Sequence, residues 1–243
     1  MPPPQILLHT PDFLIVEKPA PLLVHPTRPD HEPTLWHWLR ERFPDESIAL
    51  VNRLDRETSG LILASRHPVA ASVLGKLIMR RKIEKEYLAL CLGCPSQTMG
   101  RIDAPIDRLS KYRPQAIHIK RGVYPSGKSA LTLYEVIASR VHPVLGLISQ
   151  LRLFPQTGRL HQIRVHLAHL GHPVVGDKLY GPDETLYLDM INSGWTERHD
   201  RLLYCRRHAL HASSLRFLWG EQETHVTSPL PADLAAVWQE AGG

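Results

Sequence analysis

The sequence predicts an α+β domain whose sheet is mixed or largely antiparallel. Three observations lead to this prediction. Apolar or alternating runs of strand length outnumber the helical patterns, many connections between them have hairpin length, and the helical patterns occur at irregular intervals. The chain has 243 residues, 43% of them hydrophobic, which is enough to bury a substantial core. On length alone, the chain forms one large domain or two small ones.

The predicted strands form an early group of short runs and a later group of longer ones. Proline and charged residues separate the early runs, which lie at 6–9, 13–18, 22–25, 48–51 and 61–65. The later runs lie at 84–92, 129–136 and 146–154. In the last run two sets of side chains alternate, as expected for a strand with two different faces.

Four segments have helical patterns. They lie at 34–43, 68–81, 161–171 and 231–242. Thr34 is a good N-cap, Pro68 a good first residue and Gly171 a good stop signal. Residues 183–203 fit neither a strand nor a helix pattern, and we interpret them as an insertion or loop.

Composition limits the classes of function. Lys and Arg number 29 against 24 Asp and Glu, and the net charge of +5 favours a polyanionic partner. Three cysteines are too few for a disulfide framework, so we expect a reducing compartment, the cytoplasm. The start of the chain does not have the pattern of a signal peptide, and no run approaches the ~20 apolar residues of a membrane helix.

The stretch "VNRLDRETSG", residues 51–60, interrupts an apolar pattern with charged residues. Asp55 lies between Arg53 and Arg56, and nearby cations keep a carboxylate ionised. An ionised aspartate can act as a nucleophile or a base. The ordinary alternative is a loop aspartate that caps a turn and pairs with a surface arginine.

A second polar cluster is "QTGRLHQIRVH", residues 156–166. Arg159 lies at a predicted helix entrance and Arg164 within the first turns, where arginines suit phosphate or carboxylate partners. The alternative is a solvated basic helix face.

We expect no metal and no nucleotide cofactor. The histidines near this helix have no acidic or cysteine ligands around them, and the single C-x-x-C of Cys91 and Cys94 has no second pair. The sequence contains neither a P-loop nor a G-x-G-x-x-G motif. Tyr87 by itself is an ordinary sheet aromatic.

Taken in order, "NRLDRETSGLILAS", "KIEKEYLAL", "QTGRLHQIRVHLAHLGHPVVGDKLYG" and "HALHASSLRF" resemble the RluA-like class of RNA pseudouridine synthases. The segment "FLIVEKPAPLLVHP" also resembles the start of that family's catalytic domain, so the resemblance covers nearly the whole chain. It implies that residues 1–243 form a single domain with the pseudouridine synthase catalytic fold: a mixed, mainly antiparallel sheet, flanking helices and a central RNA-binding cleft. It also implies site-specific isomerisation of uridine in rRNA or tRNA without a metal or organic cofactor.

The resemblance assigns roles to four residues. Asp55 matches the catalytic aspartate, and Arg53 matches the arginine that fills the space of a flipped base. Tyr87 matches the tyrosine stacked near the target uracil, and Arg164 the arginine that pairs with the aspartate. We expect Arg56 to contact the RNA backbone or to support its loop.

Two positions depart from the family's pattern. Asn52 stands where a histidine often precedes the R-L-D motif, so we expect no contact of that imidazole here. Pro21 stands where the N-terminal turn often has glycine, and proline fixes a negative φ that excludes a glycine-dependent turn.

RNA selection is expected to depend on the catalytic domain, because its first strand begins near residue 1 and leaves no room for an N-terminal RNA-binding domain. The further residues predicted to bind RNA are Arg159, His161, Gln162, Lys76, Arg80 and Arg81. Those from Lys76 to Arg81 could equally be the solvated end of a helix. We expect a monomer with RNA as its partner and no membrane association.

Two other classes of function compete with this interpretation. A non-catalytic RNA-binding protein could use the same cleft, but it would have no need of a carboxylate facing phosphates. A carboxylate-dependent glycoside hydrolase would need a second acid at a suitable place, and the sequence offers none.

Overall fold

The computed structural model describes residues 2–26 and 33–242. These residues form two compact units, which are described one at a time. The first unit takes the described residues of 1–86 and 211–229, and the second takes those of 87–210 and 230–243. The expectation that the chain is a single domain stays a prediction.

Twelve strands and six α-helices occur in the described residues. In chain order the strands are β1 Gln5–His9, β2 Phe13–Lys18, β3 Ala49–Leu50, β4 Ser59–Ser65, β5 Glu84–Leu92, β6 Met99–Asp103, β7 Ile106–Arg108, β8 Arg121–Val123, β9 Leu131–His142, β10 Gly146–Pro155, β11 Leu210–Trp219 and β12 Gln222–Thr227. The helices are α1 Leu35–Arg42, α2 Pro68–Met79, α3 Gln162–His169, α4 Thr185–Ser193, α5 Glu197–Leu203 and α6 Ala232–Glu240.

The sheet of the first unit has the order β1-β2-β4-β11, with β3 paired to β4 and β12 paired to β11. Every pairing is antiparallel except that of β4 with β11, which is parallel. Gly60 lies at this parallel contact with φ +109, and a Cβ there would lie 2.2 Å from the Ala212 carbonyl oxygen. Glycine is therefore required for the close approach of the two strands. Phe13, Leu61 and Leu74 belong to the core that joins this sheet to α2.

The second unit contains an antiparallel sheet in the order β5-β10-β9-β6, and a separate pair formed by β7 and β8. The β10–β9 register shifts between Gln150 and Leu151. Leu147 is 44% exposed whereas both Ile148 and Ser149 are buried. The simple alternation predicted for this strand is therefore not kept along its whole length.

The predicted fold class is confirmed, because the sheets are mixed and mainly antiparallel and helices pack against them. The runs predicted at 13–18 and 84–92 are strands with the predicted bounds. Thr34 caps α1, Pro68 begins α2, and Gly171 follows α3 with φ +89, as predicted. The central cleft stays a prediction.

The strand predicted at 22–25 is wrong. The segment buries Leu22 and Val24, as its apolar pattern suggested, but its backbone groups bond to partners outside any sheet. The carbonyl oxygens of Leu23 and Val24 accept the first amides of α1, from Leu35 and Trp36. The segment therefore satisfies orphan amides at a helix start, a role that apolar periodicity does not reveal.

The loop interpretation of residues 183–203 is also wrong, because these residues form α4 and α5. Gly194 separates the two helices with φ +74, and Thr196 caps α5 through a capping box with His199. The usual box has Glu or Gln at that third position, so the signal was easy to miss. Whether the segment is an insertion stays a prediction.

Across the part of the chain that the structure describes, no helix has the length and apolarity needed to cross a membrane.

Candidate active site

The Asp55 loop connects β3 to β4, and Asn52 fixes its start. The amide of Leu63 donates to Asn52 Oδ1 at 2.8 Å, and Asn52 Nδ2 donates to the Leu61 carbonyl at 3.4 Å. The asparagine side chain thus bonds along β4 in the way a neighbouring strand would. The residue that departs from the family's histidine has a structural role here.

Side-chain burial alternates along the loop. Leu54 is buried, Arg53 and Arg56 are exposed, and Asp55 is half-buried. A turn closed by the Thr58 amide and the Asp55 carbonyl, 3.2 Å apart, follows the aspartate. The loop therefore holds its leucine in the core and presents its charged residues outward.

His25 is a neighbour of this loop that the sequence did not reveal. Partial burial, followed by the positive charge of Arg53, lowers the pKa of the His25 imidazole. The two side chains are therefore close enough to interact, although 28 positions separate them in the sequence.

Lys18 anchors the backbone just after Asp55. Its side chain is fully buried, and Nζ donates to the carbonyl oxygens of Pro19 and Leu22 at 2.9 Å and of Arg56 at 3.1 Å. The Arg56 carbonyl also accepts the Leu22 amide at 2.9 Å. One buried ammonium thus ties the N-terminal lysine-proline turn, in which Ala20–Pro21 is cis, to the aspartate loop.

Lys18→Met is expected to reduce the stability of the protein. It removes charge-assisted hydrogen bonds and leaves buried carbonyls without their donor, at a cost of about 2–4 kcal/mol in the free energy of unfolding. Chemical denaturation measures that loss, with the exposed Lys82→Met as control. A Lys18→Met variant as stable as the control would show that the anchor contributes nothing.

Tyr87 lies in β5 opposite Leu153 of β10 and is only 9% exposed. Burial at a strand position agrees with the ordinary interpretation of a sheet aromatic. It does not test the stacking role that the resemblance assigns, which stays a prediction.

Gln162 organises the turn before α3. Its Oε1 accepts from the Thr157 hydroxyl at 2.7 Å and the Arg159 amide at 3.0 Å, and its Nε2 donates to the Leu131 carbonyl and the Thr132 hydroxyl, both at 3.0 Å. The residue is 4% exposed. This burial argues against the predicted direct contact of Gln162 with RNA, because its amide is engaged inside the protein.

The other two residues predicted at this turn remain accessible. Arg159 is exposed, and its Nε donates to the Ser129 carbonyl at 2.9 Å. His161 is half-buried with φ +60, and its Nδ1 lies 2.8 Å from the Tyr180 hydroxyl. Their RNA-binding role stays a prediction.

Arg164 forms a buried bidentate ion pair with Asp177. Nε and Nη2 donate to the two carboxylate oxygens at 2.6 and 2.8 Å, and the arginine is only 7% exposed. Burial would raise the pKa of Asp177, but the charge and hydrogen bonds of Arg164 outweigh it and hold that pKa well below its usual range. The solvated helix face is therefore wrong for Arg164.

Further contacts fix the Arg164–Asp177 pair. The amides of Leu179 and Tyr180 donate to Asp177 Oδ1 at 2.9 and 3.0 Å, and the Arg164 guanidinium carbon lies 5.0 Å from the centre of the Tyr180 ring. No sequence pattern singled out Asp177, which lies 13 positions after its partner. The predicted pairing of Arg164 with Asp55 stays a prediction.

His166 is buried on the same helix. Its Nε2 lies 2.9 Å from the Ala104 carbonyl, which can only accept, so Nε2 carries a proton. Nδ1 lies 2.9 Å from the Thr132 hydroxyl. Burial is the main cause that lowers the pKa of His166.

The lowered pKa predicts loss of stability on mild acidification. Below the ordinary histidine pKa of 6.5, the unfolded chain binds a proton that the folded protein resists, so the free energy of unfolding falls as pH falls. One site contributes at most about 1.4 kcal/mol per pH unit. We expect denaturation between pH 6.5 and 5.5 to show a shallower pH slope for His166→Gln than for wild type. Equal slopes, or a flattening only in the exposed His169→Gln control, would contradict this.

The remaining RNA-binding candidates lie at the end of α2. Lys76, Arg80 and Arg81 are exposed there. They remain predictions, since exposure fits both RNA binding and a solvated helix end.

No group of three or more histidine, cysteine or acidic side chains that could hold a metal ion occurs among residues 2–26 and 33–242. All three cysteines are free thiols. Burial raises the pKa of Cys91 to about 12, which opposes formation of the thiolate that redox or metal chemistry would need.

The family model for RNA pseudouridylate synthase matches residues 12–169, more than half of the chain. A protein of Chloroflexus aurantiacus described as an uncharacterized RNA pseudouridine synthase is 37% identical over 235 residues, covering 92% of this chain and 65% of its own length. Ribosomal large subunit pseudouridine synthase D of Escherichia coli K12 is 34% identical over 245 residues, covering 96% and 68%. The chain thus spans about two thirds of the length of these relatives.

Solved structures agree with these sequence matches. Human RNA pseudouridylate synthase domain containing 1 has a TM-score of 0.73 and 30% identity, with 98% of this chain and 90% of that chain covered. Human RNA pseudouridylate synthase domain containing 4 has a TM-score of 0.74 at 23% identity, with 98% of this chain and 92% of that chain covered, and supports the fold alone. The family match, the relatives and the fold agree: the chain belongs to the RNA pseudouridine synthase family, in its RluA-like class.

Proposed function

We propose that this chain isomerises uridine to pseudouridine in structured RNA and that Asp55 is the reacting group. The observation that carries the proposal is the Asp55 loop. A half-buried carboxylate stands between two exposed arginines, on a backbone fixed by Asn52 and Lys18. Family membership supplies the reaction class that such a carboxylate would serve.

The reaction breaks the N1–C1′ glycosidic bond of uridine and forms a C5–C1′ bond. C5 loses its proton to solvent and N1 gains one, so the product is an isomer of the substrate. An ionised Asp55 would act at the sugar or the base, as a nucleophile or as a base. The detached uracil must be kept from escaping, which requires a site that excludes water and holds the ring.

We propose that the target nucleotide is flipped out of its stack, at a cost of a few kcal/mol. The exposed Arg53 would fill the gap, because a planar guanidinium stacks on bases and its charge meets phosphate. Tyr87 would pack against the turning ring. Arg164 would keep Asp55 charged, with Asp177 holding the guanidinium in one orientation.

For the substrate we propose RNA of the large ribosomal subunit, with tRNA as the alternative. This proposal is supported by the several relatives that bear the name ribosomal large subunit pseudouridine synthase D. A cytoplasmic monomer is the form in which we propose that it acts. Three free cysteines are compatible with a reducing compartment.

Tritium release from RNA tests the proposal. Unmodified rRNA and tRNA transcripts labelled with tritium at uridine C5 would be incubated with the protein, and the tritium released to water counted. We expect release from at least one transcript, because C5 exchanges its hydrogen for a bond to C1′. Binding without release from every transcript, with native rRNA and ribosomal particles included as substrates, would favour a non-catalytic RNA-binding protein.

A further inference from the structure

The positive charge of this protein is concentrated in one segment, residues 104–130, here called the basic arm. It contains six Lys or Arg residues and a single acidic residue, Asp107, so its formal net charge equals the +5 of the whole chain. The other 216 residues together are balanced. The arm therefore carries the excess positive charge with which a polyanion would interact.

The arm is closed at its base and folded on itself. The Ala104 amide donates to the Ala130 carbonyl at 3.1 Å, and Ile106 and Lys128 exchange two backbone hydrogen bonds of 2.9 and 3.0 Å. Strands β7 and β8 pair within it. Ile106 and Ile117 pack in a core cluster with Val165 of α3. The arm is thus a packed element of the second unit.

Three cations of the arm are exposed and lack a carboxylate partner in the described residues: Arg108, Arg113 and Lys128. Two further cations of the arm form ion pairs with carboxylates. Lys111 pairs with Asp107 at 2.8 Å, which helps lower the pKa of that carboxyl to about 2, and Lys120 pairs with Glu184. The unpaired cations are available to phosphates.

The arm also carries a preformed aromatic surface. The Tyr112 and Tyr124 rings stack with centroids 3.8 Å apart and an interplanar angle of 7°. The Tyr112 hydroxyl lies 2.9 Å from Asp107 Oδ2 and 2.8 Å from the Ser126 hydroxyl, which orients the ring. Tyr112 remains 39% exposed. An oriented, exposed aromatic ring among unpaired cations has the features that bind unpaired nucleotides.

The arm is bonded to the elements that carry Arg164. The Arg121 amide donates to the Tyr180 hydroxyl at 2.9 Å, and the Tyr180 ring lies against the Arg164 guanidinium. Arg159, in the turn before α3, donates to the Ser129 carbonyl at the end of the arm. RNA held by the arm would therefore be held close in structure to a residue of the proposed reaction.

We infer that the basic arm is the main RNA-docking surface of this chain, with Arg108, Arg113 and Lys128 on phosphates and Tyr112 stacked on an unpaired base. The inference rests on the proposed function. According to this inference, the arm supplies most of the electrostatic contribution to RNA affinity, and the cations at the end of α2 supply less.

The salt dependence of binding tests this inference. The affinity for a large-subunit rRNA transcript would be measured across a salt series for wild type and for the triple variant Arg108→Gln, Arg113→Gln, Lys128→Gln. Each lost phosphate contact reduces the magnitude of the negative slope of log K against log salt by about 0.7–0.9. The slope of the triple variant should therefore be smaller in magnitude than that of wild type by about 2. The control triple Arg42→Gln, Arg201→Gln, Arg216→Gln removes the same charge from exposed positions outside the arm and should change the slope little.

Tyr112→Ala separates stacking from charge. Loss of one stacked base should weaken binding by about 5- to 150-fold while leaving the salt slope unchanged. An unchanged affinity would overturn the stacking assignment.

The docking surface lies elsewhere if the arm triple keeps the wild-type slope, or if the control or a Lys76→Gln, Arg80→Gln, Arg81→Gln triple lowers the slope as much. In either case the charge of the arm would serve another polyanion, such as an acidic protein. Tritium release at saturating RNA separates the two levels. Release by wild type, together with an arm triple whose salt slope equals that of wild type, overturns only the docking surface, whereas the absence of release from every RNA overturns the proposed function.

Discussion

Asp55→Asn is expected to abolish tritium release while leaving RNA binding within a few-fold of wild type. Asparagine has the same shape but neither the charge nor the basicity of the carboxylate, so attack or proton removal is lost. We expect a decrease in rate of at least 10²–10⁴-fold, the range for removal of a positioned acid–base group. The loop should persist, because Asn52 and Lys18 fix its backbone independently of the Asp55 side chain.

Single-turnover tritium release, with enzyme in excess over labelled RNA, measures this decrease in rate without any contribution from the dissociation of product. Asp45→Asn is the matched control, since it removes the same charge from an exposed position in the same unit. An Asp55→Asn variant that retained more than about a tenth of the wild-type rate would show that the carboxylate is not the reacting group.

Asp177→Asn is expected to cost about 3–5 kcal/mol in the free energy of unfolding, because it leaves the Arg164 charge buried without its partner. Such a loss is a large share of the 5–15 kcal/mol typical of a folded domain. Denaturant titration measures it. Asp189→Asn is the control, since Asp189 pairs with Arg198 and the two side chains are 42% and 40% exposed. We expect that variant to lose about 1 kcal/mol or less.

The double variant Arg164→Met, Asp177→Leu distinguishes a structural role of the pair from a role in the reaction. Apolar replacement of both members of a buried ion pair is often neutral for stability. We expect the double variant to recover most of the stability lost by Asp177→Asn but to release no tritium. Recovery of both stability and activity would show that the pair serves folding alone.

Local patterns predicted the elements whose signals lie within one segment. The strands at 13–18 and 84–92 follow from apolar or alternating runs, and the starts of α1 and α2 follow from Thr34 and Pro68. The strand predicted at residues 22–25 was wrong because the backbone partners of this segment lie outside it, at the start of α1. Apolar patterning reports which side chains are buried, and it does not report where the backbone hydrogen bonds go.

The candidate site was predictable only in part for the same reason. Asp55 and Arg164 were proposed from their motifs, and their roles stay predictions, whereas Asp177 and the buried Lys18 act through contacts with distant parts of the chain. Gln162 was predicted to contact RNA because it is a polar residue beside arginines, and only its burial reveals the hydrogen bonds that its amide makes inside the protein. The basic arm needed no structure to be noticed. Its net charge is evident when charge is counted segment by segment, whereas the net charge of the whole chain does not show where the excess lies.

Nucleoside composition of the product RNA tests the central claim most directly. An unlabelled transcript that supports tritium release would be incubated to completion with wild-type protein, digested to nucleosides and separated by chromatography. Isomerisation by this chain predicts that pseudouridine appears in the same molar amount as uridine disappears, with no free uracil. Loss of uridine accompanied by free uracil would identify a glycosidic hydrolysis, and unchanged uridine would show that the protein does not perform the reaction.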